Sequence, residues 1–166
     1  MQYEIKPVVT PISLGNLFDV EGSPTTYVVP PYQRDYAWDT SNVRAFIEDL
    51  VGFNPQSDTY YLLGQIIVVP DRSDSAFDWA LVDGQQRTTT IALLFLAMLK
   101  LAQEFDYPNQ GRVINARFAK LDSIFNHVVG NKVVCRIQTS EGGNSVIEGI
   151  YDGTKGIEPN NVTQQN

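Results

Sequence analysis

"LVDGQQRTTTIALLFLAMLKLA", residues 81–102, decides how this chain folds. Its opening residues complete an apolar β-rich run, "AFDWALVDG" at 76–84. From about Gln86 to Phe105 the pattern becomes helical and is apolar on most sides over 91–99, which places this helix through the centre of the domain. Gly84 stands at the junction. It permits a sharp turn with close backbone approach, and it ends the strand. A turn alone needs two or three polar residues, yet Asp83 to Thr90 supply an Asp, two Gln, an Arg and three Thr.

Upstream, "TYYLLGQIIVVP" at 59–70 is rich in aromatic and β-branched residues and almost continuously apolar. That composition predicts a strand buried on both faces and ended by Pro70. "DRSDS" at 71–75 supplies a turn, so the two strands are expected to pair as a hairpin. Further back, "PISLGNLFDVEGSP" at 11–24 predicts a short helix capped by Ser13, with Leu14, Leu17 and Phe18 on one face and Gly22 and Pro24 at its end. "TTYVVPPYQRDYAW" at 25–38 begins as β structure, but Pro30 and Pro31 cannot donate to a ladder, so the strand must stop or lie at an edge. A loop follows. Thr40 or Ser41 is expected to cap the next helix, whose apolar face is Val43, Phe46, Ile47, Leu50 and Val51.

Downstream the pattern predicts a helix over 112–128, a short strand in "KVVCRIQ" at 132–138 and a short helix in "SVIEGIYDG" at 145–153. From Gly142 the composition turns polar and rich in Gly, Asn and Gln, too poor in apolar residues to offset its ordering entropy. The expected division is therefore one domain over 1–141 and a polar, partly disordered segment over 142–166, the cut edge of a longer protein. No internal repeat is evident.

A chain of 166 residues that is 43% hydrophobic and 11% aromatic can bury one core. The start "MQYEIKPVV" has no signal-peptide pattern and the longest apolar run is too short to span a bilayer, so the expectation is a cytoplasmic protein with no membrane partner. Twelve basic against nineteen acidic residues give a net charge of −7. A surface of that sign repels polyphosphates at long range, so any anion site must be built locally. Cys135 is the single cysteine, which excludes an internal disulfide and reads as a small buried hydrophobe. His127 is the single histidine, which excludes a Ser/His/Asp triad and a multi-histidine metal site. It is expected near a helix C-terminus, as a dipole partner or a half-buried surface residue. Asp71, Asp74 and Asp78 read as a solvated turn rather than a cation site. Asn161-Val162-Thr163 fits the glycosylation pattern but carries little weight without a signal peptide.

Two constellations could carry chemistry. In the first, a strand delivers Asp83 to its C-terminal end, and the helix that follows begins with free N–H groups and the positive end of its dipole. Arg87 adds a fork of donors suited to phosphate oxygens, and Thr88, Thr89 and Thr90 offer hydroxyls. The same spacing equally fits a capped turn in which Asp83 caps the helix and pairs with Arg87 while the glutamines are solvated. In the second, "VPPYQRDYAW", two prolines stiffen a loop that carries Gln33, Arg34 and the aromatics Tyr32, Tyr36 and Trp38. Such a loop fits ligand recognition, with Arg34 on phosphate and a base stacked on a ring; it also fits core packing of the aromatics and a contact of Arg34 with Asp35 or Asp39.

Taken with "YYLLGQIIVV" between them, these two motifs resemble the N-terminal domain of GmrSD-type modification-dependent restriction endonucleases. The resemblance runs from about Pro11 to Lys100 and more loosely to about Arg136. It implies an α+β fold of ParB/sulfiredoxin-like type, a small mixed β-sheet flanked by helices with a central apolar helix after the DGQQR turn. Gly84-x-x-Arg87 would be the phosphate-binding turn of that superfamily. Where the sulfiredoxin branch holds a catalytic cysteine, this chain has glutamines, so cysteine redox chemistry is not expected.

The resemblance further implies a regulatory domain that binds and hydrolyses nucleoside triphosphate with Mg²⁺ and controls cleavage of modified phage DNA. Asp83, Gly84, Gln85, Gln86 and Arg87 would form the nucleotide motif, with Thr88 and Thr89 beside it and Gln33 and Arg34 facing it. Asp83 would orient the attacking water or hold Mg²⁺ through water, Arg87 and Arg34 would stabilise phosphate charge, and Gln85 or Gln86 would position water. Successive helix residues point about 100° apart, so one of the two glutamines is expected to face the pocket. Partners would be the nucleotide, DNA through the full-length protein, and a C-terminal nuclease domain or subunit. An HNH-type nuclease needs histidines this chain lacks, so cleavage is not expected from these residues. The alternatives are a DNA-binding or DNA-sensing module without NTPase activity, which the net acidity disfavours, and a ParB-like enzyme acting directly on DNA, which lacks an evident metal-ligand cluster.

Overall fold

A computed structural model of the chain describes residues 8–18, 26–54, 56, 61–70, 78–104, 112–125, 127–129, 132–139 and 147. Among them is a four-stranded mixed sheet. β1 (Thr26–Val28) lies inside it, parallel to β3 (Asp78–Asp83) on one side and to β6 (Ile137–Gln138) on the other. β2 (Ile67–Pro70) pairs antiparallel with β3 at the edge, as the hairpin expectation required. β1 stops at Val28, ahead of Pro30 and Pro31, and it is internal rather than an edge strand.

Three helices pack around this sheet among the described residues: α1 (Thr40–Gly52), α2 (Gln85–Glu104) and α3 (Arg112–Phe125). The cap of α1 is Asp39, not Thr40 or Ser41. One Asp39 carboxylate oxygen accepts from Ser41 N and Asn42 N at 2.9 Å each, and the Asn42 side chain accepts from Asp39 N at 3.2 Å, a complete capping box. Hydrogen bonds from the Ser41 side chain and the Asn42 backbone hold the Asp39 carboxyl below its ordinary pKa. Phe46 is buried on the expected face, but Val51 is 79% exposed.

α2 runs through the core as its sequence predicts: Ile91, Ala92, Leu96 and Leu99 are buried. They pack with Phe18, Tyr27, Phe46, Ile124 and Ile137 in one cluster. Full burial of each large aliphatic side chain contributes about 1.5–3 kcal/mol. Phe18 meets Tyr27 and Phe95 edge to face, with ring centroids 5.8 and 6.2 Å apart. The Tyr27 hydroxyl donates to Leu17 O at 2.6 Å, and burial raises its phenol pKa.

Four expectations are corrected. The run 59–70 is not a strand buried on both faces: residues 61–66 form no strand, and β2 lies at the edge with Ile67 and Val69 47% and 44% exposed. The expected helix over 11–24 is a single 3-10 turn, Leu14–Asn16, in its described part, and Ser13 makes no side-chain cap. The helix expected to reach Val128 ends at Phe125, and His127 opens β4 (His127–Val129) instead of closing a helix. "KVVCRIQ" is two strands: β5 (Lys132–Val134) pairs with β4 in a separate small sheet, while β6 joins the main one.

The break falls at Cys135, buried as expected, and Arg136. Arg136 N donates to Ile124 O at 2.8 Å, its Nε to Ser123 O at 3.1 Å, and its guanidinium also to Phe18 O. Tyr27 N donates to Arg136 O at 2.7 Å, so one residue ties the end of α3 to β1 and to the first turn.

The hairpin turn with Asp71 and Asp74, the helix ends at Gly22 and Pro24, and all of 142–166 except Ile147 lie outside the described residues. Among the described residues no helix is long and apolar enough to cross a membrane.

Candidate functional site

The site begins where β3 hands over to α2. Gly84 takes φ +86°, a left-handed conformation that disfavours any side chain. A Cβ there would lie 3.0 Å from Gln65 O, so the glycine serves both the turn and the approach of a second segment. Gly84 O accepts from Thr88 N at 2.9 Å and from the Thr88 hydroxyl at 3.0 Å, which closes the first turn of the helix. The N–H groups of Gln85, Gln86 and Arg87 then have no intrahelical acceptor, and no acidic residue sits in the first turn to meet the dipole. Asp83, the last strand residue, is exposed beside them.

Residues 33–38 are seated on this turn by amide side chains acting in both directions. Gln33 Nε2 donates to Val82 O at 3.0 Å. From the other side, Gln86 Oε1 accepts from Ala37 N at 2.7 Å and from Trp38 N at 3.3 Å, while its Nε2 donates to Asp35 O at 3.1 Å. Gln85 Nε2 donates to Arg34 O at 3.3 Å. Thr90 donates its hydroxyl proton to Gln86 O at 2.8 Å, which makes the Tyr36 hydroxyl the donor in its 2.9 Å contact with Thr90 Oγ1. Burial pushes the Tyr36 phenol above its ordinary pKa and keeps it in that donor form.

The two glutamines end up unlike each other. Both are more than nine-tenths buried, but the Gln86 amide has both its oxygen and its nitrogen bonded to the loop, whereas Gln85 Oε1 is buried with no hydrogen-bond partner among the described residues. A buried acceptor left so costs about 1–3 kcal/mol.

Arg87 extends to a third segment. Its Nη1 donates to Gln65 O at 2.9 Å, and its guanidinium lies over Gly64, which has φ +106°. Tyr61, at the start of that segment, donates to Asp49 Oδ2 of α1 at 2.9 Å. Arg34, by contrast, is exposed, and among the described residues only its backbone carbonyl is held.

Gln33, Arg34, Trp38, Val82, Asp83, Gly84, Gln85, Gln86 and Arg87 together line one cleft of about 480 Å³. Residues 14–163, which include every one of these, match the family described as GmrSD restriction endonuclease, N-terminal domain. The chain belongs to that family. No curated protein sequence matches it.

In this GmrSD-type domain the two separated motifs are thus brought together, 48 to 54 residues apart in sequence along the bonds that join them. Thr88 and Thr89, grouped with the site from the sequence, are buried in α2 and do not line the cleft; the Thr88 hydroxyl is bonded back to Gly84 O. Asp83 does not pair with Arg87: the guanidinium is on Gln65 O. Trp38 lines the cleft while packing edge to face on Phe46, 5.5 Å between centroids, so it belongs to both site and core. Gly64 and Gln65 were not legible as site residues. One contributes an absent side chain and the other a carbonyl; the only trace in the sequence is a glycine inside an otherwise apolar run. Among the described residues no group of three or more His, Cys, Asp or Glu could cage a metal ion.

Proposed function

We propose that the cleft binds a nucleoside triphosphate and hydrolyses it, and that this GmrSD-type domain thereby regulates a modification-dependent restriction endonuclease in phage defence, on a ParB/sulfiredoxin-like fold. The observation that carries the reading is the cleft of about 480 Å³ in which an exposed carboxylate, two arginines and the N-terminus of a 20-residue helix meet. Small-molecule sites range over roughly 300–1,000 Å³, so a nucleotide fits the volume. The polyphosphate lies against the N–H groups of residues 85–87, with Arg87 and Arg34 on its oxygens.

Of the two turn glutamines, Gln85 is the one assigned to water, because its Oε1 has no partner among the described residues; that oxygen is buried and must turn toward the cleft to act. Gln86 is a positioning residue whose amide fixes the loop. One carboxylate and no acidic cluster suit Mg²⁺ that arrives on the triphosphate and meets Asp83 through water, rather than a protein cage. When bound, the ion would offset phosphate charge. DNA and the nuclease domain or subunit enter through the full-length protein.

A second reading, a DNA-sensing loop without NTPase activity, draws on Tyr32, 75% exposed beside the exposed Arg34. Thermal shift and Mg²⁺-dependent hydrolysis with nucleoside triphosphates separate the two. Stabilisation of the parent that is lost in Arg87→Ala, with turnover lost in Asp83→Ala, is the expected result. Absence of stabilisation by any nucleotide, with low-salt DNA binding that Arg34→Ala removes, would transfer the function to the second reading.

A further inference from the structure

We infer that Gly64 and the carbonyl of Gln65 are positioning elements that set the Arg87 guanidinium at the cleft before any ligand arrives. A Cβ built on Gly64 would stand 2.7 Å from Arg87 Cζ, 2.7 Å from Nη1 and 3.0 Å from Nη2, closer than side-chain carbons approach other atoms. The guanidinium therefore occupies the space that any other residue at 64 would fill. Its Nη1 is anchored on Gln65 O at 2.9 Å. That same carbonyl is the atom a Cβ on Gly84 would meet at 3.0 Å, so one peptide of the 61–66 segment lies against both the turn glycine and the arginine three positions after it.

A guanidinium carries five N–H donors in a rigid fork, so fixing Nη1 leaves other donors of the fork for a ligand and settles their direction. Ordering a long side chain ahead of binding removes an entropic cost that a free arginine bears when it closes on an anion. A carbonyl acceptor also satisfies a cation that would otherwise oppose the positive end of the α2 dipole unaided.

The inference rests on the cleft being an anion site, and the test keeps the two apart. Binding of inorganic triphosphate with Mg²⁺ is measured by calorimetry for the whole chain as parent, Gly64→Ala, Arg87→Ala and the double variant, with circular dichroism and thermal melting alongside. Gly64→Ala is expected to weaken binding about tenfold, the scale of one immobilised flexible side chain. In the Arg87→Ala background it should cost nothing more, because both changes remove the same contact. An equal cost in both backgrounds, or a folded Gly64→Ala that binds like the parent, overturns the inference while leaving the cleft reading in place.

Should Gly64→Ala fail to fold, Arg87→Lys tests the same point, since lysine keeps the charge but cannot use one nitrogen on Gln65 O and two others on the anion. It should bind as weakly as Arg87→Ala, and parent-like binding overturns the inference. If the parent binds no triphosphate, the cleft reading fails and the inference is judged on the Arg87 Nε–H resonance, identified by its loss in Arg87→Lys. Slow solvent exchange of that proton in the parent supports a preset guanidinium; exchange as fast as in a free arginine overturns it.

Discussion

The Gln-Arg pair of the loop and the Gln-Arg pair of the helix turn face each other across one cleft, and they divide their work differently. At the turn, the Gln86 amide makes three hydrogen bonds to loop backbone and Arg87 is anchored on Gln65 O. At the loop, the Gln33 side chain makes one hydrogen bond, to Val82 O, and Arg34 is exposed, its backbone carbonyl accepting from Gln85. The same dipeptide thus yields an anchored arginine at the turn and an exposed one on the loop. Amides, whose oxygen and nitrogen can grip a carbonyl and an N–H together, build the walls; on the proposed reading the guanidiniums meet what enters.

The largest expected effect tests whether Gln86 is the principal tie. Gln86→Ala leaves Ala37 N, Trp38 N and Asp35 O without their partner and should cost about 2–4 kcal/mol in chemical denaturation, at roughly one per lost bond plus desolvation. Gln33→Ala removes a single bond and should cost about 0.5–1.5 kcal/mol. Equal losses in the two would erase the asymmetry between turn and loop.

Acid sharpens the comparison at the loop's far end, where Asp39 caps α1. Its carboxyl titrates below the ordinary 3.8 in the folded chain, so its contribution is complete above the unfolded value and is lost as pH falls through the folded one. Asn caps about as well as Asp, so Asp39→Asn should match the parent at neutral pH and show a flatter fall in melting temperature below about pH 4. A fall as steep as the parent's would exclude Asp39 as its source. The smallest effect belongs to Arg34→Ala. An exposed side chain away from caps and cores should leave stability within about 0.5 kcal/mol, and a larger loss in denaturation would show Arg34 to be anchored after all.

What the sequence disclosed follows from how each element is encoded. α1 and α2 were legible because a helix's buried face is written in its own spacing, as Phe46, Ile91, Leu96 and Leu99 show. The hairpin partner of β3 was legible too, but not its coverage. Aromatic and β-branched residues at 59–70 report an extended backbone, whereas whether Ile67 or Leu62 is covered depends on which elements end up beside them. Capping was misplaced by one or two residues because Asp39, Thr40 and Ser41 are all competent, and the choice lies in the path of the incoming loop. At the site, the motifs named residues that the fold brings to one cleft, Thr88 and Thr89 excepted, while spacing left their bonds open: which glutamine holds the loop became clear only from distances. Gly64 and Gln65 act through empty space and a carbonyl, which no residue-type pattern records.

The edge strand β2 has a bearing on how the molecule behaves in a crowd. Its outer rim is apolar at Ile67 and Val69, an invitation to pair with the same strand of another copy. Two features spoil that template. The ladder slips between Ile67 and Val68, which twists the strand out of flat register, and Pro70 has no N–H with which to receive a newcomer. A four-residue edge broken at both ends gives a growing fibril no continuous row of donors to copy along β2.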